Sequence, residues 1–372
     1  MVTSEQTRSA SFENYHFSVA VPADNFKLIG LLRKNPIRME MDYVMDKRDD
    51  FFKVHHFLPG SKVMIARNTS TQELAGCLSL LKLRGKLLGE EITFQYITDL
   101  VRSSEESAPL LMKKLLNHTF KQHFDTDLIF GLINAQNKRA RMFSVANILH
   151  YRGKPIATFR YLEMVPLAIQ SVPKQYVFRS AKSPEDLMES FNFINKHYNN
   201  HLLYRPLDLP YFEKMCHELP GFNTENVWML LEGDVLKGAM ICYDPSAIGS
   251  LIVAKMDGKT KIILKAIRFI HRLTGLLFSP PLEGEYIKTL QIRYLAGNSA
   301  LQSALLRIAN NIAYRQKLHS VSMLVDEREA PKPANAVVYQ YISLLYAGYK
   351  PEFEGKVKFF AEKPVFFDIT FS

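Results

Sequence analysis

The stretch from Glu90 to Tyr151 constrains the fold more than any other, because strand and helix patterns alternate there at close spacing. Within residues 91–101, β-branched and aromatic residues recur at every second position, which predicts a strand. Serines and glutamates follow, which suit the start of the amphipathic helix predicted at 110–122. A second apolar strand at 127–133 leads into another helical segment. This order predicts an α/β core in which a helix N-terminus, where backbone N–H groups can bind phosphate, lies at the ends of two strands.

Composition narrows the class of protein. A chain of 372 residues favours two domains, and 47% hydrophobic with 23% charged residues is typical of a globular protein and argues against a disordered chain. The net charge of +10 and the pI near 9.3 favour polyanionic partners, such as phosphate-bearing ligands, acidic proteins, nucleic acid or anionic lipid. A basic surface without a dedicated partner explains the same charge.

The three cysteines, Cys77, Cys216 and Cys242, lie far apart and form no CxxC or Cys/His pattern. Their spacing predicts no metal site and favours a reducing compartment. The first ten residues lack the apolar run of a signal peptide, and no stretch reaches the roughly 20 apolar residues that span a bilayer. We therefore expect a cytoplasmic protein.

The order of elements is predicted to occur twice. In the first half, a strand, helices at 24–33 and 47–55, and a hairpin precede the opening stretch, and one strand follows it. Proline-containing residues 166–182 carry few helix signals, which predicts domains 1–168 and 169–372. The second half begins again with a strand, two helices and a hairpin that turns at Gly233. Because the order repeats and the residues do not, the pattern indicates structural duplication.

A helix predicted at 261–273 has no counterpart in the first half. Four basic residues recur along it at i, i+4, i+7 and i+11, and so share one face: Lys261, Lys265, Arg268 and Arg272. Such a face is typical of contact with a membrane, an acidic protein or phosphate groups, and also of an ordinary solvated helix.

Several segments together resemble, in order and spacing, the GNAT superfamily of acyl-CoA-dependent N-acyltransferases: Val63–Arg67, Leu74–Cys77, Tyr96–Val101 and Asn137–Ala140. A weaker likeness extends over the second half, through Trp228–Gly238, Leu290–Leu306 and Leu344–Tyr349. The chain thus resembles a tandem GNAT protein and is most similar to bacterial proteins with two such domains. The resemblance implies a three-layer α+β fold with two GNAT-like domains, each a mixed, mostly antiparallel sheet flanked by helices.

The resemblance also implies an acyl-CoA, with acetyl-CoA expected, bound where two strands part and at the turn that follows. Members of the family carry glycines in that turn, which let the backbone approach a phosphate. The turn in the first half has no glycine and two carboxylates, which would repel phosphate. The turn in the second half has Gly297 and no acid. The predicted cofactor-binding residues are Leu295, Ala296, Gly297, Asn298, Ser299 and Ala300, with Val101, Ser103 and Ser104 from the first half.

Many family members use a tyrosine to protonate the leaving CoA thiolate. The matching position in the first half is Phe143, and Tyr346 lies in a comparable region of the second half. A general base is also required, because the attacking amine must lose a proton. Carboxylates near the central strands suit this role, since burial can raise their pKa. The predicted catalytic residues are Tyr346, Glu285 and Asp99, and no metal is expected.

The function that the resemblance implies is acyl transfer from CoA to an amine, with the donor in the second half. Two alternatives stay open. One is a non-catalytic module that senses acyl-CoA or binds a macromolecule, which would explain the altered turns. The other is a transferase that takes its acyl group from an acyl carrier protein or an aminoacyl-tRNA, with the basic helix 261–273 contacting that carrier protein or nucleic acid.

Overall fold

The computed structural model describes residues 14–37, 41–106, 110–138, 140–141, 151–274, 279–332 and 337–368. Its strands are Tyr15–Val19 (β1), Asp42–Asp46 (β2), Lys62–Asn68 (β3), Leu74–Leu87 (β4), Glu90–Arg102 (β5), Leu128–Asn134 (β6), Arg152–Val165 (β7), Tyr176–Ser180 (β8), Val227–Glu232 (β9), Val235–Tyr243 (β10), Ser250–Lys255 (β11), Thr289–Ala296 (β12), Ser320–Asp326 (β13) and Val337–Tyr349 (β14). Its helices are Asn25–Arg33 (α1), Lys53–Phe57 (α2), Leu111–His123 (α3), Pro184–Tyr198 (α4), Leu209–Glu218 (α5), Gly258–Thr274 (α6), Ser299–Arg315 (α7) and Glu354–Val357 (α8).

Twelve strands form one continuous sheet in the order β1-β3-β4-β5-β6-β14-β7-β13-β12-β10-β9-β8. Two neighbouring pairs are parallel, β5 with β6 and β12 with β13. The other neighbours are antiparallel. The two parallel pairs occupy equivalent places in the two halves. The predicted fold class, a mixed and mostly antiparallel sheet flanked by helices, is confirmed.

Alternating residues of β3 explain the three layers in the first half. Val63 and Ile65 pack in the cluster that includes α1, whereas Met64 and Ala66 pack with α3. Because successive side chains on a strand point to opposite faces, α1 and α3 lie on opposite sides of the sheet. In the second half, α4 and α7 likewise belong to separate core clusters.

The last strand connects the two halves of the chain. β14 lies between β6 and β7, so a strand from the end of the chain completes the sheet of the first half. A separate two-stranded sheet joins β2 to β11. Asp46 at the end of β2 accepts hydrogen bonds from Arg33 Nη2 at 2.8 Å and from the Tyr286 hydroxyl at 2.7 Å, which links the halves again. The division at residue 168 remains a prediction.

The prediction of a helix at 47–55 is wrong for residues 47–52. Strand β2 ends at Asp46, and Arg48 has a φ of 62°, which no α-helix accommodates. The Asp46 carboxylate accepts the Arg48 backbone N–H at 3.1 Å and so stabilises a turn. A helix forms only at Lys53–Phe57.

Candidate functional site

A cavity of about 450 Å³ opens where β5 and β6 part. The two strands pair over three positions, from Gln95 with Ile129 to Ile97 with Gly131, although β5 continues to Arg102 and β6 to Asn134. Residues of both strands beyond Ile97 and Gly131 line the cavity. Parted strands present backbone N–H and C=O groups that need other partners, which suits a ligand with amide groups.

The register between β4 and β5 shifts beside this cavity. Ser79 pairs with Thr98, but Cys77 pairs with Val101, so β5 carries one extra residue there. Asp99 lies in this bulge with a φ of 48°. Bulges re-aim side chains and are common next to active sites. The bulge brings four consecutive residues, Thr98 to Val101, to the cavity wall.

The rest of the wall is mainly apolar and comes from both helical layers. Helix α1 contributes Leu32 to the wall, β2 contributes Met45, and α3 contributes Leu116 and Phe120. The cavity therefore reaches from one face of the sheet to the other. Its volume lies within the usual range for small-molecule sites.

Asp99 is the one acidic side chain among the described residues that line the cavity. Its side chain is only 8% exposed. The carboxylate accepts a hydrogen bond from Ser79 Oγ at 2.8 Å and lies 3.4 Å from Lys47 Nζ. A buried charge needs such partners, so Ser79 and Lys47 hold the Asp99 carboxylate in place.

His55 lies beside this ion pair. Burial lowers the pKa of its imidazole to about 4, with Lys47 lowering it further and Asp99 opposing the shift. Neither ring nitrogen has a hydrogen-bond partner in the structure. His55 is therefore neutral at pH 7.

Tyr346 reaches the same cavity from β14. It pairs across the sheet with Gly131, the residue at which β5 and β6 part, and the missing side chain there leaves space beside its ring. The buried hydroxyl accepts a hydrogen bond from Arg141 Nε at 3.4 Å, which leaves its own proton to donate. The structure thus brings Asp99 and Tyr346 together on one cavity, although they lie far apart in the sequence.

Glu285 lies elsewhere. Its carboxylate pairs with Arg268 Nη1 at 2.7 Å and accepts the Leu282 N–H at 3.1 Å, and it does not line the cavity. Phe143 lies outside the described residues. Lys47 and Ser79 were missed by sequence reasoning, because nothing in their local patterns indicates that β2 and β4 bring them to Asp99.

The turn after β5 contains the two carboxylates that were expected to repel phosphate. Glu105 pairs with Lys34 Nζ at 3.4 Å, and Glu106 accepts hydrogen bonds from the Tyr15 hydroxyl and, at 3.3 Å, from Asn68 Nδ2. Both carboxylates thus have partners. Val101 lines the cavity, Ser103 is buried in the turn, and Ser104 is exposed beside it.

The equivalent place in the second half is filled. β12 and β13 pair over four positions, and beyond them the backbone N–H and C=O of Leu295 both bond to the Tyr198 hydroxyl, at 3.1 and 3.0 Å. Burial raises the pKa of Tyr198, so its hydroxyl keeps the proton that it donates. The cavity beside Leu295 is about 30 Å³, enough for roughly one water.

The predicted turn in the second half is a helix cap. Asn298 Oδ1 accepts the Leu301 N–H at 3.1 Å, and Gly297 has a φ of 147°, which favours glycine. Ala296 is buried, and Ser299 and Ala300 begin α7. None of the six predicted residues from Leu295 to Ala300 lines the 450 Å³ cavity.

Among the residues that the structure describes, no group of three His, Cys, Asp or Glu side chains is arranged to bind a metal. None of the helices in the described ranges has both the length and the apolar character needed to cross a bilayer.

No protein-family model matches the sequence, and no curated protein is similar to it in sequence. The fold, in contrast, matches solved structures. Saccharomyces cerevisiae N-myristoyltransferase with bound myristoyl-CoA is 12% identical, with a TM-score of 0.56 over 91% of this chain and 80% of that one. A GCN5-related N-acetyltransferase from Sphaerobacter thermophilus is 12% identical, with a TM-score of 0.54 over 91% and 96%.

A tandem GNAT protein from the clavulanic acid biosynthesis pathway is 10% identical, with a TM-score of 0.53 over 90% of this chain and 98% of that one. Because the sequence identities are this low, the similarity shows a shared fold and nothing more. The similarity runs through nearly the whole chain and includes a protein with two GNAT units, as the sequence resemblance predicted. The chain therefore has the tandem GNAT fold.

Proposed function

We propose that the protein is an acyl-CoA-dependent N-acyltransferase whose donor binds in the first half, between β5 and β6. The observation that carries the proposal is the 450 Å³ cavity at the parted strands, with Asp99 and Tyr346 on its wall. Solved structures with this fold include acetyltransferases and an enzyme with bound myristoyl-CoA. We infer a cytoplasmic location from three free cysteines.

The donor would bind along β5. The amide groups of its pantetheine arm find backbone partners beyond Ile97, where β5 and β6 no longer pair. The pyrophosphate would lie at the following turn, near Ser103 and Ser104 and the start of α3. Lys34 offsets the charge of Glu105 at this turn, whereas Glu106 keeps its charge, since its partners Tyr15 and Asn68 are neutral.

The reaction needs a base and an acid. The Asp99 carboxylate takes a proton from the acceptor amine, whose nitrogen then forms a bond to the thioester carbonyl carbon. The C–S bond breaks, and the Tyr346 hydroxyl gives its proton to the departing thiolate. The second proton of the amine nitrogen then restores the tyrosine, and Asp99 releases the first to solvent. Ser79 and Lys47 position Asp99. Glu285 has no part in this proposal, because its carboxylate is held by Arg268.

The second half serves as scaffold in this proposal. The Tyr198 hydroxyl occupies the backbone groups of Leu295 that a pantetheine arm would use. This arrangement favours the first half over the donor site that the glycine-containing turn suggested.

The test is the thermal midpoint with and without acetyl-CoA and longer acyl-CoAs, in three proteins. A Cβ at Gly131 would meet no atom within 4 Å, so the side chain of Gly131→Val starts in open space and fills part of the cavity. Tyr198→Phe instead frees the backbone N–H and C=O of Leu295 in the second half. A ligand at 100 times its Kd adds roughly 2.7 kcal/mol, and we expect this stabilisation in the wild type and Tyr198→Phe but not in Gly131→Val.

Other outcomes would favour a different donor site or a different function. A shift kept in Gly131→Val and enlarged in Tyr198→Phe would move the donor to the second half, because the Phe variant frees the backbone groups of Leu295. A shift without release of CoA thiol across an amine screen would favour the non-catalytic acyl-CoA-sensing module. No shift, with transfer from an acyl carrier protein or aminoacyl-tRNA, would favour the alternative donors.

A further inference from the structure

Helix α6 turns an apolar face to solvent. No described residue of this helix is buried. Ile262, Phe269 and Leu273 are 71%, 62% and 69% exposed, and with Ala266 they follow the spacing i, i+4, i+7 and i+11. That spacing gives a single stripe along the helix. Ile263 and Ile270 are also exposed and widen it.

Two ion pairs connect α6 to the protein. Lys261 pairs with Glu283, and Arg268 Nη1 lies 2.7 Å from both carboxylate oxygens of Glu285. The segment that carries these glutamates bonds in turn to Val253 of β11. Two of the four basic residues therefore face the protein, which is the reverse of a usual surface helix.

The start of the helix is also stabilised. Asp257 Oδ1 accepts the backbone N–H groups of Lys259 and Thr260 at 2.9 and 3.0 Å. This is the usual function of an N-cap. The helix is thus a defined element that presents its stripe outwards, and its apolar residues are not exposed by fraying.

The remaining cations flank the stripe. Lys265 and Arg272 are exposed, and the helical spacing puts both along one edge of the stripe, while Lys259 is exposed at its N-terminal end. An apolar stripe bordered by basic residues is the arrangement of helices that lie in the interface of an anionic bilayer. Nucleic acid would satisfy the cations but leave the stripe in water. A second copy of the helix would cover the stripe but bring like charges together.

We propose that α6 docks the protein on the surface of an anionic phospholipid bilayer. Ile262, Phe269 and Leu273 enter the boundary between headgroups and acyl chains, and Lys265 and Arg272 contact lipid phosphates. This inference does not depend on the proposed acyl transfer.

The experiment is co-sedimentation of the full chain with phosphatidylcholine vesicles, with and without phosphatidylglycerol. Three variants are compared with the wild type: Phe269→Ser/Leu273→Ser, Lys265→Gln/Arg272→Gln and Phe26→Ser. Phe26 is 80% exposed on α1 and serves as the matched control. All the altered side chains are exposed, so equal thermal midpoints will verify that the variants fold.

We expect the wild type and Phe26→Ser to bind the anionic vesicles equally. The apolar variant should lose at least tenfold in partitioning, because two large side chains no longer enter the interface. The charge variant should lose about 25-fold on anionic vesicles, from about fivefold per cation. It should differ little from the wild type on neutral vesicles.

The proposal is overturned if the wild type stays in the supernatant with anionic vesicles, or if both α6 variants sediment as the wild type does. It is also overturned if sedimentation velocity shows a dimer that Phe269→Ser/Leu273→Ser dissociates, since the stripe would then be an interface between copies of the chain.

Discussion

Asp99 and its neighbours show how single residues depend on one another at the candidate site. The buried carboxylate, Lys47 Nζ and Ser79 Oγ form one network. Removing one member of a buried pair leaves the other charge uncompensated, which is costly. Substitutions here therefore change both chemistry and stability, and the two effects have to be measured apart.

Asp99→Asn tests the proposed base. We expect kcat to fall by about 10²–10⁴-fold, because the amide cannot accept the proton, while the stabilisation by acyl-CoA persists. Activity is measured well below the thermal midpoint, which should itself fall because Lys47 loses its counter-charge. Glu285→Gln is the control and should retain the wild-type rate. Turnover of Asp99→Asn at the wild-type rate would exclude Asp99 as the base.

His55 makes stability depend on pH. Its pKa is lowered from 6.5 to about 4 by burial, so the unfolded chain binds its proton more readily than the folded chain. The free energy of unfolding should therefore be fully retained above about pH 6.5 and decline by up to about 3 kcal/mol toward pH 4.

His55→Leu should flatten this decline, measured by urea denaturation at several pH values. Some slope should remain, because burial also lowers the pKa of His319 to about 4. His56→Gln, at the exposed neighbour, should keep the wild-type slope. An unchanged slope in His55→Leu would show that His55 does not titrate in this range.

At the scale of elements, β4 carries a contact between the halves. The backbones of Lys86 and residues 203–204 exchange hydrogen bonds of 3.0 and 2.7 Å. Gly85 lies beside this crossing, and a Cβ there would stand 2.3 Å from the Leu203 carbonyl oxygen. Since that atom belongs to the backbone, it cannot move aside easily.

Gly85→Ala should lower the free energy of unfolding by about 2–3 kcal/mol, as overpacking does. Gly30→Ala is the matched control, because Gly30 lies within α1 and a Cβ there meets nothing within 4 Å. It should instead stabilise the protein by about 0.5–1 kcal/mol. Urea denaturation of the three proteins decides, and a loss of stability in both variants would contradict the packing argument.

Elements with strong local signals were predictable. Capping by Ser183 and Asp208, whose oxygens accept the N–H groups of Asp186 and Tyr211, marks helices that the sequence indicated. The short strands β2 and β11 were missed, because each finds its partner only across the two halves. A strand of five or six residues has little periodicity of its own.

At the scale of the molecule, β14 joins the halves. Its residues pair with β6 on one side and β7 on the other, and Leu345 is fully buried between them. β14 belongs to the second half and both of its partners belong to the first, so unfolding of either half would break this pairing. The halves should therefore unfold together.

We expect a single thermal transition, observed alike by circular dichroism and by fluorescence of Trp228. Leu345→Ala should lower the free energy of unfolding by about 2–5 kcal/mol and keep one transition, because its cavity weakens the shared sheet. Two separable transitions, only one of them shifted by the substitution, would show that the halves are independent.

The sequence by itself determined most of the order of strands and helices, β2 and β11 excepted, because period and capping are local properties of short segments. From that order came the α+β class and its repetition. The sequence also indicated Asp99 as a candidate general base, because a carboxylate near the end of a predicted central strand can be recognised from the local pattern.

Only the tertiary structure decided which half holds the open cavity. That depends on Tyr198 filling the second site and on β14 carrying Tyr346 to Gly131, more than 200 residues away in the chain. Pairing over such a distance is set by packing and by the register of whole strands, so no local pattern could indicate it.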